Sequence, residues 1–164
     1  MEGSMKRVIV IGCPGAGKST FARKLAEKTG MPLHYLDMIW HCPDRTTVSR
    51  KEFDEKLNEI MADKEWIIDG NYLRTLPMRL GEADTVFFLD IPVDTCLAGA
   101  MARLGEQRPD MPWHDSELDE DFRQWILDFP TYQLPIIEIF LESYKGKIIR
   151  FTSREEADNF IAAE

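Results

Sequence analysis

Residues 8–19 constrain this chain more than any other stretch. Val8-Ile9-Val10-Ile11 is a run of β-branched apolar residues that reads as a buried strand. Gly12-Cys13-Pro14-Gly15-Ala16-Gly17-Lys18-Ser19 follows, and Thr20–Lys28 then reads as a helix. Strand, glycine-rich loop and helix are the setting of a phosphate-binding loop. Gly15 and Gly17 lack a Cβ, so the backbone can approach a ligand closely. The loop N–H groups then form an anion nest at the helix N-terminus. Lys18 can reach the β- and γ-phosphates as a point charge, and the Ser19 hydroxyl suits a Mg²⁺ ion that keeps most of its waters. Gly12, Pro14, Gly15, Ala16, Gly17, Lys18, Ser19 and Thr20 are therefore expected to bind ATP, with Ser19 on the metal.

A strand–loop–helix opening needs further strands to complete a sheet, and the chain supplies them. Leu33–Leu36, Trp66–Ile68, Thr85–Leu89 and Lys147–Phe151 read as strands, mostly apolar on both faces. Helical spacing separates them. A first helix ends near Thr29-Gly30, and Ser49 with Glu52 forms a capping box for a helix over Arg50–Asp63. Tyr72–Leu80 and Asp94–Arg103 read as helices. Ser116–Asp128 reads as an amphipathic helix with Leu118, Phe122, Trp125 and Ile126 on one stripe. Pro130 is expected to break that helix, with another over Gln133–Tyr144 and a last one capped by Ser153. Met38–Val48 and Gly105–Asp115 read as loops. The pattern predicts an α/β domain of three layers, a parallel sheet covered on both sides. With 164 residues the chain suits one domain. Met1–Ser4 read as appended residues, leaving residues 5–164 as the domain, with a small lid around 104–128.

Charge and cysteines exclude some classes. Lys and Arg number 20 against 29 Asp and Glu, a net −9, which disfavours direct nucleic-acid binding. No apolar run approaches a membrane span. Cys13, Cys42 and Cys96 have no paired spacing and read as free thiols in a reducing, cytoplasmic compartment. His34, His41 and His114 show no ligand spacing with them, so no zinc site is expected.

In open parallel sheets ligands bind beyond the carboxyl ends of strands, and Asp37, Asp69 and Asp90 fall at such ends. Asp69 follows its strand as a Walker-B aspartate does; it is expected to hold Mg²⁺ through water and also to face the acceptor. Asp37 faces the acceptor, or serves as the base for an acceptor hydroxyl. Arg103 and Arg108 are expected to stabilise transferring charge from a lid. Asn71, Arg74 and Arg79 follow Asp69 and are placed on the acceptor side, the two arginines as a clamp for an acceptor phosphate. Trp40 and Trp113 either stack on a base or simply pack; Trp40 is placed with the acceptor residues.

These residues resemble a known group. The loop Gly12–Thr20 and the run Trp66-Ile67-Ile68-Asp69-Gly70-Asn71-Tyr72 are similar to those of adenylate-kinase-like nucleotide kinases. Leu33–Asp37 through Trp40, with Phe87-Phe88-Leu89-Asp90-Ile91-Pro92 and Cys96-Leu97, resemble the narrower bacterial topology modulation proteins of the FlaR type. The resemblance implies a P-loop NTPase fold of the adenylate/shikimate-kinase kind, with a five-stranded parallel sheet in the order 2-3-1-4-5. It implies ATP- and Mg²⁺-dependent phosphoryl transfer to a small nucleotide or nucleoside, with the ATP base near the Thr152–Arg154 turn. The alternative is a nucleotide-dependent regulatory module with slow or no kinase activity. Gly99 mildly favours that alternative, because such proteins often carry an arginine four residues before Arg103. Any effect on DNA supercoiling would be indirect at this net charge.

Overall fold

A computed structural model describes residues 5–164; Met1–Ser4, the expected appended residues, lie outside it. Five parallel strands form one sheet in the order β2-β3-β1-β4-β5: β1 (Arg7–Gly12), β2 (Leu33–Tyr35), β3 (Trp66–Asp69), β4 (Thr85–Leu89) and β5 (Lys147–Phe151). Val8–Ile11, Trp66–Ile68 and Val86–Phe88 are fully buried, as strands covered on both faces must be. β1 lies between strands reached in opposite directions, so the loop after it sits at the switch point where ligands of such sheets bind. The registers Val10↔Asp69, Tyr35↔Asp69 and Gly12↔Leu89 bring the carboxyl ends of β1 to β4 to one edge.

Helices α1 (Lys18–Thr29), α2 (Leu36–Trp40), α3 (Arg50–Met61), α4 (Leu76–Glu82), α5 (Val93–Ala102), α6 (Glu120–Asp128), α7 (Leu134–Glu142) and α8 (Arg154–Ala163) flank the sheet. Phe21 of α1, Phe87 of β4, Phe151 of β5 and Phe160 of α8 interlock on one face, with Phe21 and Phe87 4.9 Å apart. Gly30 closes α1 in the left-handed region. Ser49 accepts from the Glu52 N–H and donates to its carboxylate, completing the expected capping box.

Four expectations are corrected. β2 ends at Tyr35, and Asp37 lies in the first turn of α2, inside a stretch expected to be strand end and loop. The helix expected from Tyr72 begins at Leu76, because Tyr72 has φ +35° and Pro77 fits only a helix's first turn. α6 begins at Glu120, where the Asp119 side chain caps the Phe122 N–H, rather than at Ser116. Of its predicted stripe only Ile126 is buried; Phe122 and Trp125 are exposed. Pro130 does not stop the chain. It widens the helix into a π turn over Phe129–Gln133, which leads directly into α7.

Candidate functional site

The loop after β1 rests on α5. A Cβ at Gly15, which has φ +87°, would collide with the Cys96 carbonyl, and one at Gly99 with the Gly15 carbonyl and the Arg154 guanidinium. Arg154, at the start of α8, donates to the Gly15 carbonyl at 2.6 Å. Gly99 is thus the space that lets α5, the loop and Arg154 meet. An arginine there would have no room, which gives the missing side chain a packing reason. The Thr152–Arg154 turn does reach the loop through this contact.

From Ser19 the site spreads toward β3. The Ser19 hydroxyl is 2.7 Å from Asp69 Oδ2 and 3.2 Å from Asp110 Oδ2. Asp69 is buried, and its Oδ1 has no hydrogen-bond partner among the described residues. Burial pushes the Asp69 carboxyl up to about 6, against the opposing pull of Lys18 and the Ser19 hydrogen bond. Asp110 is buried too and pairs with Arg108 at 3.4 Å. Sequence reasoning missed Asp110; its one signal was an acidic residue two positions after Arg108 in a proline-bearing loop.

The turn after β3 connects the two sides of the cleft. Asn71 donates to the Gly12 carbonyl at 2.8 Å and accepts from the Gly12 N–H at 3.0 Å, so it pins the phosphate-binding loop to β3. Tyr72 donates its hydroxyl to Asp37 Oδ1 at 2.6 Å. Burial and the neighbouring Asp37 charge hold the Tyr72 hydroxyl well above its ordinary value, so it remains a donor. Asp37 keeps 43% of its side chain exposed, which leaves its second oxygen free for a ligand.

A cavity of about 850 Å³ opens over these groups. Lys18, Ser19, Asp37, Asp69, Asn71, Arg103 and Arg108 line it, as do Asp110 and Trp113. Arg103 Nε is buried and unpartnered among the described residues. A half-buried guanidinium with an unpartnered Nε and an unpartnered carboxylate oxygen in one cleft are groups that a ligand can satisfy.

Three expected acceptor residues lie elsewhere. Arg79 is fully buried, so it cannot clamp an acceptor. Its guanidinium donates to the Gly70 carbonyl at 3.0 Å, to the Tyr72 carbonyl at 3.2 Å and to the Asn71 carbonyl, which braces the turn from behind. Arg74 forms a fork with Asp54 of α3, at 3.1 and 2.8 Å, beside a smaller hollow. Trp40 lies edge-on to Phe53 at 5.6 Å and lines that hollow, so it packs rather than stacking on a ligand in the main cleft. Asp90, the third strand-end carboxylate, faces Arg150 of β5 at 3.9 Å and is not among the residues lining the cavity.

No helix among the described residues is long and apolar enough to cross a membrane. Residues 5–74 match the family model described as isopentenyl transferase. Over 80 residues the chain is 34% identical to adenylate kinases of Thermotoga neapolitana and of Thermotoga maritima. That match covers 49% of this chain and 36% of each relative, so the chain matches about a third of the length of these curated relatives. Among solved structures, a shikimate kinase of Bacteroides thetaiotaomicron superposes with a TM-score of 0.64 at 18% identity, covering 98% of this chain and 96% of the other. A shikimate kinase of Acinetobacter baumannii in complex with shikimate gives 0.64 at 19% identity, covering 98% and 93%. The sheet order and these neighbours agree: the chain has a P-loop kinase fold of the adenylate-kinase-like and shikimate-kinase-like kind.

Proposed function

We propose that the chain transfers the γ-phosphoryl group of ATP to a hydroxyl of a small acceptor of the nucleotide or nucleoside class. The observation that carries this reading is that one cavity is lined both by Lys18 and Ser19 of the phosphate-binding loop and by the Tyr72-held Asp37. Arg103 and Arg108 line the same cavity and carry the charge that phosphoryl transfer requires.

Each residue then has a task. Loop N–H groups and Lys18 hold the triphosphate. Arg103 donates from its unpartnered Nε to the transferring group, and Arg108 adds charge from the segment 104–128, the proposed lid. Asp37 accepts the hydroxyl proton of the acceptor. Ser19 would ligate Mg²⁺ directly and Asp69 through water; the unpartnered Asp69 Oδ1 beside Ser19 fits that role. Bound there, Mg²⁺ neutralises charge on the phosphates.

The regulatory alternative drew on Gly99. Packing of Arg154 and Gly15 against that glycine gives it a structural reason, so its presence does not by itself favour that alternative. The narrower topology-modulation resemblance adds only that an effect on DNA would be indirect, and the cytoplasm is the proposed setting. A coupled ADP-release assay over nucleosides and nucleotides tests the transfer. One acceptor should stimulate release strongly, and Lys18→Ala should abolish both nucleotide binding and turnover. Flat, acceptor-independent hydrolysis, or full turnover by Lys18→Ala, overturns the reading.

A further inference from the structure

We infer that the acceptor carries neither a phosphate nor a carboxylate: it is a neutral or cationic hydroxyl compound with a flat apolar portion, nucleoside-like rather than nucleotide-like. This rests on the phosphoryl-transfer reading and narrows it.

The lysine and arginine side chains lining the cavity are Lys18, Arg45, Arg103 and Arg108; His41, 4.0 Å from Asp37 Oδ1, and His114 line it as well. Lys18 stands at the phosphate-binding loop, and the proposed function commits Arg103 and Arg108 to the transferring phosphoryl group. Arg45 is already engaged, 3.1 Å from Asp115 and stacked 4.8 Å over Trp113. Arg74 is held by Asp54 outside the cavity, and Arg79 is sealed behind the turn. An acceptor phosphate would therefore find no uncommitted arginine or lysine among the described lining residues. It would instead meet Asp37 on the floor, with Glu106, Glu117 and Asp119 also in the lining. Like charges at contact distance in a partly enclosed site cost at least tenfold in affinity. The remaining lining is aromatic and apolar. Phe122 and Trp125, left 37% and 49% exposed on α6, face this cavity with Trp113 and Met111. Exposed large aromatics in a cleft are contacts for a flat apolar ligand.

Asp37 completes the fit. Tyr72 occupies Oδ1, so Oδ2 is available to accept from a ligand hydroxyl. In the transfer, the acceptor O–H proton passes to Asp37 Oδ2 and the acceptor oxygen forms a bond to the γ-phosphorus. The bond from that phosphorus to the β,γ-bridging oxygen breaks, and its electron pair leaves with ADP. A carboxylate at this position suits an alcohol and repels an anion.

The test uses matched pairs. Nucleosides are compared with their 5′-monophosphates, and aromatic alcohols with the corresponding hydroxy acids, on the full chain with MgATP. ADP release should give the uncharged member of the preferred pair a kcat/KM at least tenfold higher. Binding is measured separately by saturation-transfer NMR with ADP present, and the uncharged members should again bind more tightly. Asp37→Asn should abolish turnover and narrow the binding preference several-fold, because it removes the repelling charge. Tighter binding of the monophosphates or acids overturns the inference, as does absence of binding by every uncharged compound. If the uncharged members bind preferentially and none is phosphorylated, the acceptor class stands and the phosphoryl-transfer reading fails.

Discussion

Replacing Asp69 by asparagine should stabilise the protein while weakening the proposed response to Mg²⁺. Asp69 is 5% exposed, and burial raises its carboxyl from 3.8 to about 6. A rise of that size means that ionising the group in place costs about 3 kcal/mol relative to the unfolded chain. The sign follows from proton counting. Between 3.8 and about 6 the folded protein holds a proton that the unfolded chain has released. Stability therefore falls as pH rises through this window, and the whole cost is present at pH values above about 6. Asp69→Asn removes the charge and keeps an oxygen for the Ser19 hydroxyl, but it adds an amide N–H₂ that needs partners. A net gain of about 1–3 kcal/mol is expected at neutral pH, or roughly 3–10 °C in Tm for a chain of this size. Thermal melts of both proteins across the acidic to neutral range check this. The difference between them should be small at the acidic end and reach a plateau above about pH 6. Asp44, Asp54 and Glu156, whose carboxyls are lowered by their hydrogen bonds, act in both proteins and cancel in the difference. Added Mg²⁺ and ATP should raise the Tm of the wild type more than that of the variant. A variant less stable than the wild type at neutral pH, or a difference that does not change with pH, refutes the reasoning.

Two other substitutions probe the frame of the cleft. Gly99→Ala puts a methyl group against the Gly15 carbonyl and the Arg154 guanidinium, and should cost about 1–3 kcal/mol in a melt and at least tenfold in ATP affinity by titration. Arg79→Met leaves the carbonyls of Gly70, Asn71 and Tyr72 without their donor and should cost about 3 kcal/mol or more in urea unfolding. Arg79→Lys should recover little of that loss, since one ammonium cannot reproduce the fork.

Much of the fold is legible because its strands are continuous apolar runs and its loops carry strong punctuation. Val8–Ile11, the glycine loop, the Ser49 box and Gly30 each signal locally, and each stands as expected. Pro130 misleads because proline usually ends a helix, yet a π turn absorbs it when apolar contacts continue beyond, as at Ile137 and Leu141. The conformation of the phosphate-binding loop is equally legible, since it is built from consecutive residues. The acceptor end is not. Arg74 and Arg79 carry the charge that a phosphate clamp needs, and nothing in their spacing reveals that Asp54 holds one and backbone carbonyls hold the other. Asp110 is the reverse case: an ordinary loop aspartate by sequence, brought to Ser19 across 91 positions of chain by tertiary structure.

The turn Asp69–Tyr72 explains how two ends with different chemistry stay in register. Asp69 reaches Ser19, Asn71 reaches Gly12, and Tyr72 reaches Asp37. Three residues within this four-residue turn thus touch the start of α1, the phosphate-binding loop and the candidate base. Tyr72 can do so only with φ at +35°, a conformation that costs a non-glycine residue about 1–3 kcal/mol. Arg79 offsets that cost through the carbonyls of the same turn. In the proposed mechanism the buried arginine would act without touching a phosphate, by bracing the turn that carries both Asp69, the proposed metal residue, and Tyr72, the partner of the proposed base Asp37.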